Sequence, residues 1–169
     1  MKSAFISILA FSSIFLLSCG SGSTTEVVEE VVPIEEPVIQ ILEPVKWTYA
    51  TEKVGANEYK ITFNASIEDS WYVYSSTIAN DGPIPTSINF NENEALESVE
   101  TIVESGEVTK DGYDEMFDMD IKKFGHAATF SQTIKTSGPT TLTGYMEFMT
   151  CDSIQCLFPD PIEFTIDAN

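Results

Sequence analysis

Tyr59, Ile61, Phe63, Ala65 and Ile67 alternate with Lys60, Thr62, Asn64 and Ser66. A run of period two puts every apolar side chain on one face of an extended strand, whereas a helix of period 3.6 would scatter them. No other feature constrains the chain as much. A strand with one buried face needs neighbours in a sheet and a second layer to cover that face.

Similar runs follow. Trp71–Thr77, Thr86–Phe90, Ser98–Val103, Ala127–Lys135, Thr140–Thr150 and Glu163–Asp167 are further strand candidates. Asp81-Gly82-Pro83 and Ser137-Gly138-Pro139 supply turn chemistry between them. The sequence holds no convincing helix pattern and no internal repeat. An apolar fraction of 43%, with 11% aromatic residues, suffices for a packed core. Short strands in this number from Val45 onward predict an all-β domain, an antiparallel β-sandwich of immunoglobulin-like architecture. The Cys…Trp…Cys spacing of antibody domains is absent, so the expected likeness is architectural.

The chain before Val45 reads differently. Lys2 precedes an apolar run, Ala4–Leu17, that is too short for a membrane span and ends in Leu16-Leu17-Ser18-Cys19-Gly20. This resembles the lipobox of bacterial lipoproteins, in which the cysteine becomes the lipid-bearing N-terminus. Residues 1–18 are therefore expected to be a signal peptide and Cys19 the lipidated anchor. The expected location is the bacterial cell envelope, with the outer membrane favoured over the inner and the domain facing the periplasm or the cell surface. Residues 19–44 read as a tether: Gly-Ser repeats, six glutamates between Glu26 and Glu43, and Pro33, Pro37 and Pro44 disfavour a regular helix and extend the chain. Val27, Val28, Val31 and Val32 leave open a docking role for the same segment. The folded domain is expected over residues 45–169.

Charge excludes several functions. The chain has 27 acidic residues against eight basic ones, for a net charge of −19, and every basic residue is Lys. A nucleic-acid binder needs a basic face, and phosphate-handling enzymes favour Arg forks. No nucleic-acid partner is expected, and no cofactor. The single histidine, His126, follows Gly125 at a strand start and reads as a surface or capping residue. Asp111, Asp114, Glu115, Asp118 and Asp120 lack the order of a calcium loop and read as a solvated acidic loop, with no metal assigned to it. Trp47 and Trp71 read as core, and the sequon Asn64-Ala65-Ser66 falls inside a strand.

With Cys19 taken by lipid, Cys151 and Cys156 remain as an even pair, able to form a disulfide outside the cytoplasm. A bond across so short a loop stabilises by only ~2 kcal/mol on the chain-entropy estimate. The spacing alone leaves a structural and a chemical role both open.

Gly144–Asp152 followed by Gln155-Cys156-Leu157-Phe158-Pro159 resembles the cysteine segment of the N-terminal periplasmic domain of the DsbD thiol–disulfide interchange family. Asp69–Ser75 resembles that family's aromatic strand, and Gly112–Phe117 with Phe124 its cap-loop region. The likeness runs over about Val45–Ile166. It implies an immunoglobulin-like sandwich whose cysteine pair shuttles between dithiol and disulfide, taking electrons from a thioredoxin-like partner and passing them to oxidised envelope proteins. Carried onto this chain, Cys156 forms the mixed disulfide and Cys151 resolves it. Phe117 is the aromatic cap, with Asp114 and Glu115 beside it, and Tyr72 and Tyr74 line the site.

Two departures stand out. Phe158 occupies the first of two positions where the family often has proline. The sequence given ends at Asn169, without the membrane conduit and thioredoxin-like domain of full-length DsbD; either separate proteins are expected to supply them, or the chain has a derived role.

Around the pair, Glu147, Asp152 and Asp160 are near in sequence, while the nearest lysine is Lys135. Acidic neighbours and an apolar cap are expected to raise the thiol pKa and slow attack in free solution. The rival reading is a non-catalytic binding lipoprotein, with a structural disulfide or with sulfurs that hold Cu(I). Met116, Met119, Met146 and Met149 flank the cysteines as two M-x-x-M pairs of soft ligands. Core packing is the plainer role for those methionines.

Overall fold

The computed structural model describes residues 42–169; the signal segment 1–18, Cys19 and the tether as far as residue 41 lie outside the described residues. The described residues form strands and no helix. In chain order the strands are β1 (Val45–Gly55), β2 (Glu58–Ile67), β3 (Tyr72–Tyr74), β4 (Ser87–Phe90), β5 (Leu96–Val99), β6 (Val103–Asp114), β7 (Met119–Thr136), β8 (Thr140–Glu147), β9 (Thr150–Cys151), β10 (Cys156–Leu157) and β11 (Ile162–Ala168).

Every pairing is antiparallel. One sheet runs β1-β2-β7-β3-β9-β10, with β5 and β6 on the other edge of β7; the second runs β11-β8-β4. The alternation that defines β2 does what its period requires. Tyr59, Ile61, Phe63, Ala65 and Ile67 are buried, and they meet Leu142, Met146, Phe164 and Ile166 of the second sheet in one cluster. Phe63 and Phe164 stand edge to face with ring centroids 5.5 Å apart. Burial of each such ring stabilises by roughly 1.5–3 kcal/mol relative to exposure. The result is the immunoglobulin-like antiparallel sandwich.

The acidic stretch Asp111–Asp120 is not a plain loop. It is the tip of the β6–β7 hairpin, with the turn at Glu115–Asp118 and the ladder closing at Asp114 opposite Met119. The period-two signal is missing because most of β6 is exposed, so its side chains need no apolar alternation. Gly106 allows the bulge in β6: a Cβ there would lie 2.6 Å from the Ala127 carbonyl oxygen. Likewise, the run Ser98–Val103 is two strands. β5 ends at Val99 and β6 begins at Val103, while Gln132 Nε2 donates to the Glu100 carbonyl (2.6 Å) in the gap.

Thr140–Thr150 is also divided, and this division places the cysteines. β8 belongs to the small sheet and β9 to the large one. Phe148 and Met149 make the crossing. Phe148 packs in the main core, 5.1 Å from the Trp47 ring, and Met149 packs on the far side of the large sheet. Pro44 is buried and its carbonyl accepts the Glu68 amide, which fastens the chain to the domain just before β1.

Candidate functional site

β3 sets the site. It pairs with β7 through Val73–Phe124 and Tyr74–Lys123, and with β9 through Tyr72–Cys151 and Val73–Thr150. Residues opposite each other in an antiparallel ladder share a face. Val73, Phe124 and Leu157 therefore join the main core, while Tyr72, Tyr74, Lys123 and Cys151 share the other face.

Cys151 and Cys156 are directly opposed across the β9–β10 hairpin, with Cα atoms 4.1 Å apart and a disulfide between them. Asp152 builds the turn. Its Oδ1 accepts the Ile154 and Gln155 amides, each at 2.7 Å, and its own amide donates to the Gln155 carbonyl. These bonds occupy the carboxylate nearest the sulfurs in sequence. Glu147 pairs with Ser87 in the small sheet, and Asp160 is exposed.

That cluster contains Tyr74, Ile121, Met149 and Cys151 as buried members, with Ile78, Phe117, Met119 and Cys156 packed against them. Cys151 is 1% exposed and Cys156 is half-buried. Phe117 hangs from the β6–β7 turn and stands edge to face on Tyr74, with centroids 5.8 Å apart. Asp114 is buried at the base of that turn. Its Oδ1 accepts the Met116 amide at 3.0 Å, and its Oδ2 lies 3.5 Å from Lys110 Nζ. Glu115 points to solvent, and Tyr113 donates to Asp118 across the turn. Burial, with the Asp114 charge second, pushes the Tyr74 phenol up to about 12. The structure thus gathers Cys151, Cys156, Phe117, Asp114, Tyr74 and Tyr72 at one end of the domain and leaves Glu115 at the rim.

Several neighbours are not evident from the sequence. Lys123 Nζ lies 4.3 Å from the centre of the Tyr72 ring. Its ammonium is pushed below its usual value by burial, against Asp114, which raises it, and with Lys110, which lowers it further. Ile78 enters from the β3–β4 loop, and that loop is fastened by Glu104 of β6. The Glu104 carboxylate accepts from Ser75 Oγ (2.7 Å), the Ser76 amide and hydroxyl (2.8 Å each) and Lys122 Nζ (3.0 Å). Burial alone would raise Glu104, but these donors override it and hold the carboxyl below its usual value. The hint in the sequence is that Lys123 is two residues from Ile121 and so shares its face, which becomes legible only once β7 is known to start at Met119.

Other expected roles fall elsewhere. Met116 is exposed and Met146 lies in the main core, so only Met119 and Met149 of the four methionines approach the sulfurs. His126 is exposed, at φ 56°, with Asp69 Oδ1 3.4 Å and Glu107 Oε1 3.6 Å from its ring nitrogens. An apolar groove of about 580 Å³, walled by Trp47, Phe148, Leu157 and Phe158, and a polar one of about 910 Å³, beside Tyr145 and Glu163, do not include either cysteine.

Residues 40–168 match the family described as "Thiol:disulfide interchange protein DsbD, N-terminal". Among solved structures, the N-terminal periplasmic domain of ScsB from Proteus mirabilis aligns with a TM-score of 0.54 at 15% identity. The alignment covers 75% of this chain and 47% of that one, so the chain spans about half its length. The reduced DsbD N-terminal domain of Neisseria meningitidis aligns at 19% identity and a TM-score of 0.44, covering 66% and 78%. A complex between the DsbD N-terminal and PilB N-terminal domains of the same species aligns at 17% identity and a TM-score of 0.41, covering 70% and 80%. No curated protein matches. With the family match spanning the sandwich and the disulfide at its end, the chain belongs to the family of DsbD N-terminal domains.

Proposed function

We propose that this domain exchanges thiols and disulfides in the bacterial envelope, carrying reducing equivalents from a thioredoxin-like donor to oxidised proteins through Cys151 and Cys156. One observation carries the reading: the disulfide joins residues that the β9–β10 ladder already holds opposite each other, in a small cluster against which Phe117 packs. A bond that closes so small a loop adds only ~2 kcal/mol, so its chemistry is a better reason for it than its stability. Exposure supports the assignment of the two sulfurs, since Cys156 is the more accessible.

In the first half-reaction a donor thiolate attacks Cys156 Sγ, and the Cys151 sulfur leaves as a thiolate. The donor's second thiol then breaks the mixed disulfide, leaving the domain as a dithiol and the donor oxidised. In the second half-reaction the Cys156 thiolate attacks a client disulfide, and Cys151 closes back onto Cys156, so the client is reduced by two electrons. Phe117 would cover the pair until a partner displaces the β6–β7 turn. Asp114 would hold the base of that turn and Glu115 flank it, with Tyr72 and Tyr74 as the floor. Cys19 would bear the lipid, and residues 19–44 would tether the domain to the membrane.

The test is the reduction potential, together with trapping. A potential between glutathione-like and thioredoxin-like values and a Cys156 mixed disulfide in Cys151→Ser are expected. A potential below about −300 mV marks a structural bond and overturns the reading. A second reading, a binding lipoprotein that holds Cu(I), is favoured by the packing of Met119 and Met149 beside both cysteines. Cu(I) titration of the reduced domain separates the two.

A further inference from the structure

The face that carries the disulfide also carries an uncommon charge arrangement. Lys110 of β6 is directly opposite Lys123 of β7, and Lys123 is in turn opposite Tyr74 of β3. Like charges facing each other across a ladder are destabilising. This chain has only eight basic residues against 27 acidic ones, yet two of the eight are set in adjacent strands on one face. Lys123 lies over the Tyr72 ring, and Tyr72 is the residue opposite Cys151.

Resting on the exchange reading above, we infer that Lys123, backed by Lys110, is an electrostatic positioning residue that stabilises the thiolate of the reduced Cys151/Cys156 pair. Nearby positive charge raises the thiolate fraction at neutral pH, and the described residues include no helix whose N-terminus could supply it. Among the described residues, β6 contributes to this face Lys110, Asp114 and the exposed Glu107, which is opposite Gly125 beside the Tyr72 ring; β7 contributes Lys123, and β3 contributes Tyr72 and Tyr74, with Tyr74 neutral. Glu115 is exposed at the cap turn, and Asp152 is bound to its own turn amides.

Asp114 gives the arrangement two states. It lies 3.5 Å from Lys110 and holds the base of the turn that carries Phe117. With the turn seated, its carboxylate offsets the two ammonium groups. With the turn lifted by a partner, the lysines face the sulfurs with less opposition, and a cysteine proton leaves to solvent more readily. The thiolate would therefore form where a partner is present to receive it.

The test uses the full chain carrying Cys19→Ser, reduced with dithiothreitol and freed of it, so that alkylation by iodoacetamide reads the pair alone. The pH profile is compared among this protein, Lys123→Met, Lys123→Arg and Lys110→Met, with melting temperature as the control for folding. Lys123→Met is expected to move the macroscopic midpoint upward and slow alkylation at neutral pH about three- to tenfold, where tenfold corresponds to one pKa unit. Lys123→Arg should restore the profile, because it keeps the charge. Lys110→Met should shift the midpoint in the same direction by less, and it reads the same field if Lys123→Met fails to fold. A superimposable profile in the folded lysine variants overturns the inference. So does Lys123→Arg behaving like Lys123→Met, which would leave only packing on Tyr72. The exchange reading fails separately, on potential and trapping, whatever the thiol pKa.

Discussion

The two apolar clusters of this domain are built differently. The main core holds nineteen buried residues drawn from both sheets, closed by aromatic edge-to-face contacts such as Phe63–Phe164 and Phe124–Phe130. The cluster around Cys151 has four buried members, and its cover comes from a turn and a loop. What holds those residues is polar: Asp114 at the base of the β6–β7 turn, and Glu104, which accepts from the β3–β4 loop across from β6. Apolar area resists opening everywhere at once, whereas a few hydrogen bonds at a hinge break locally. The comparison teaches that the inter-sheet layer is held by apolar area drawn from both sheets, whereas the residues packed over Cys151 are held by a few polar contacts.

Phe63→Ala should widen the contrast most. It removes a fully buried ring from the inter-sheet layer and should cost about 3–5 kcal/mol in denaturant unfolding. Reduction of the disulfide comes next. Unfolding with and without a dithiol reductant should differ by no more than ~2 kcal/mol. A loss as large as that of Phe63→Ala would erase the distinction and make the bond a structural member of the fold.

Phe117→Ala sharpens the comparison from the other side. The ring is half-buried, so its truncation should cost about 1–2 kcal/mol while speeding reduction of the disulfide and alkylation of the dithiol several-fold. Unchanged alkylation with a large loss of stability would return Phe117 to the core. Glu104→Gln is the smallest expected effect, about 1 kcal/mol at neutral pH. Glu104 is held below its usual value in the fold, so its contribution is present above the unfolded carboxyl's pKa of ~4.3 and is lost as pH falls through the lower folded value. Acid should therefore lower the protection of the Ser76 and Thr77 amides, relative to intrinsic exchange, before it reaches β2 and β7. Simultaneous loss of protection in both regions would argue against a separate lid.

How much of this was legible beforehand follows from where each residue points. The β2 alternation is visible because one of its faces is buried, and the segment Trp71–Ser75 shows its aromatics because Val73 and Tyr74 are buried on opposite faces. β6 is invisible because an edge strand exposed along most of its length obeys no apolar pattern. The cysteine segment, the aromatic strand and the cap turn are recognisable as three motifs in order. Their union is not, since they come from separate strands.

The sequence by itself determined an all-β chain, an even cysteine pair in a short loop and an acidic surface, because period, composition and spacing are local properties. Only the tertiary structure decided the electrical surroundings of the sulfurs. In sequence their neighbours are Glu147, Asp152 and Asp160; in space Asp152 is occupied by its turn, and the cation over Tyr72 is Lys123, 28 positions before Cys151. The physical reason is the crossing at Phe148 and Met149. It moves the chain from the small sheet to the large one and lays Cys151 against β3, whose far edge is β7. Charge acts through distance in space, and a β-sheet assembles that distance from strands far apart along the chain.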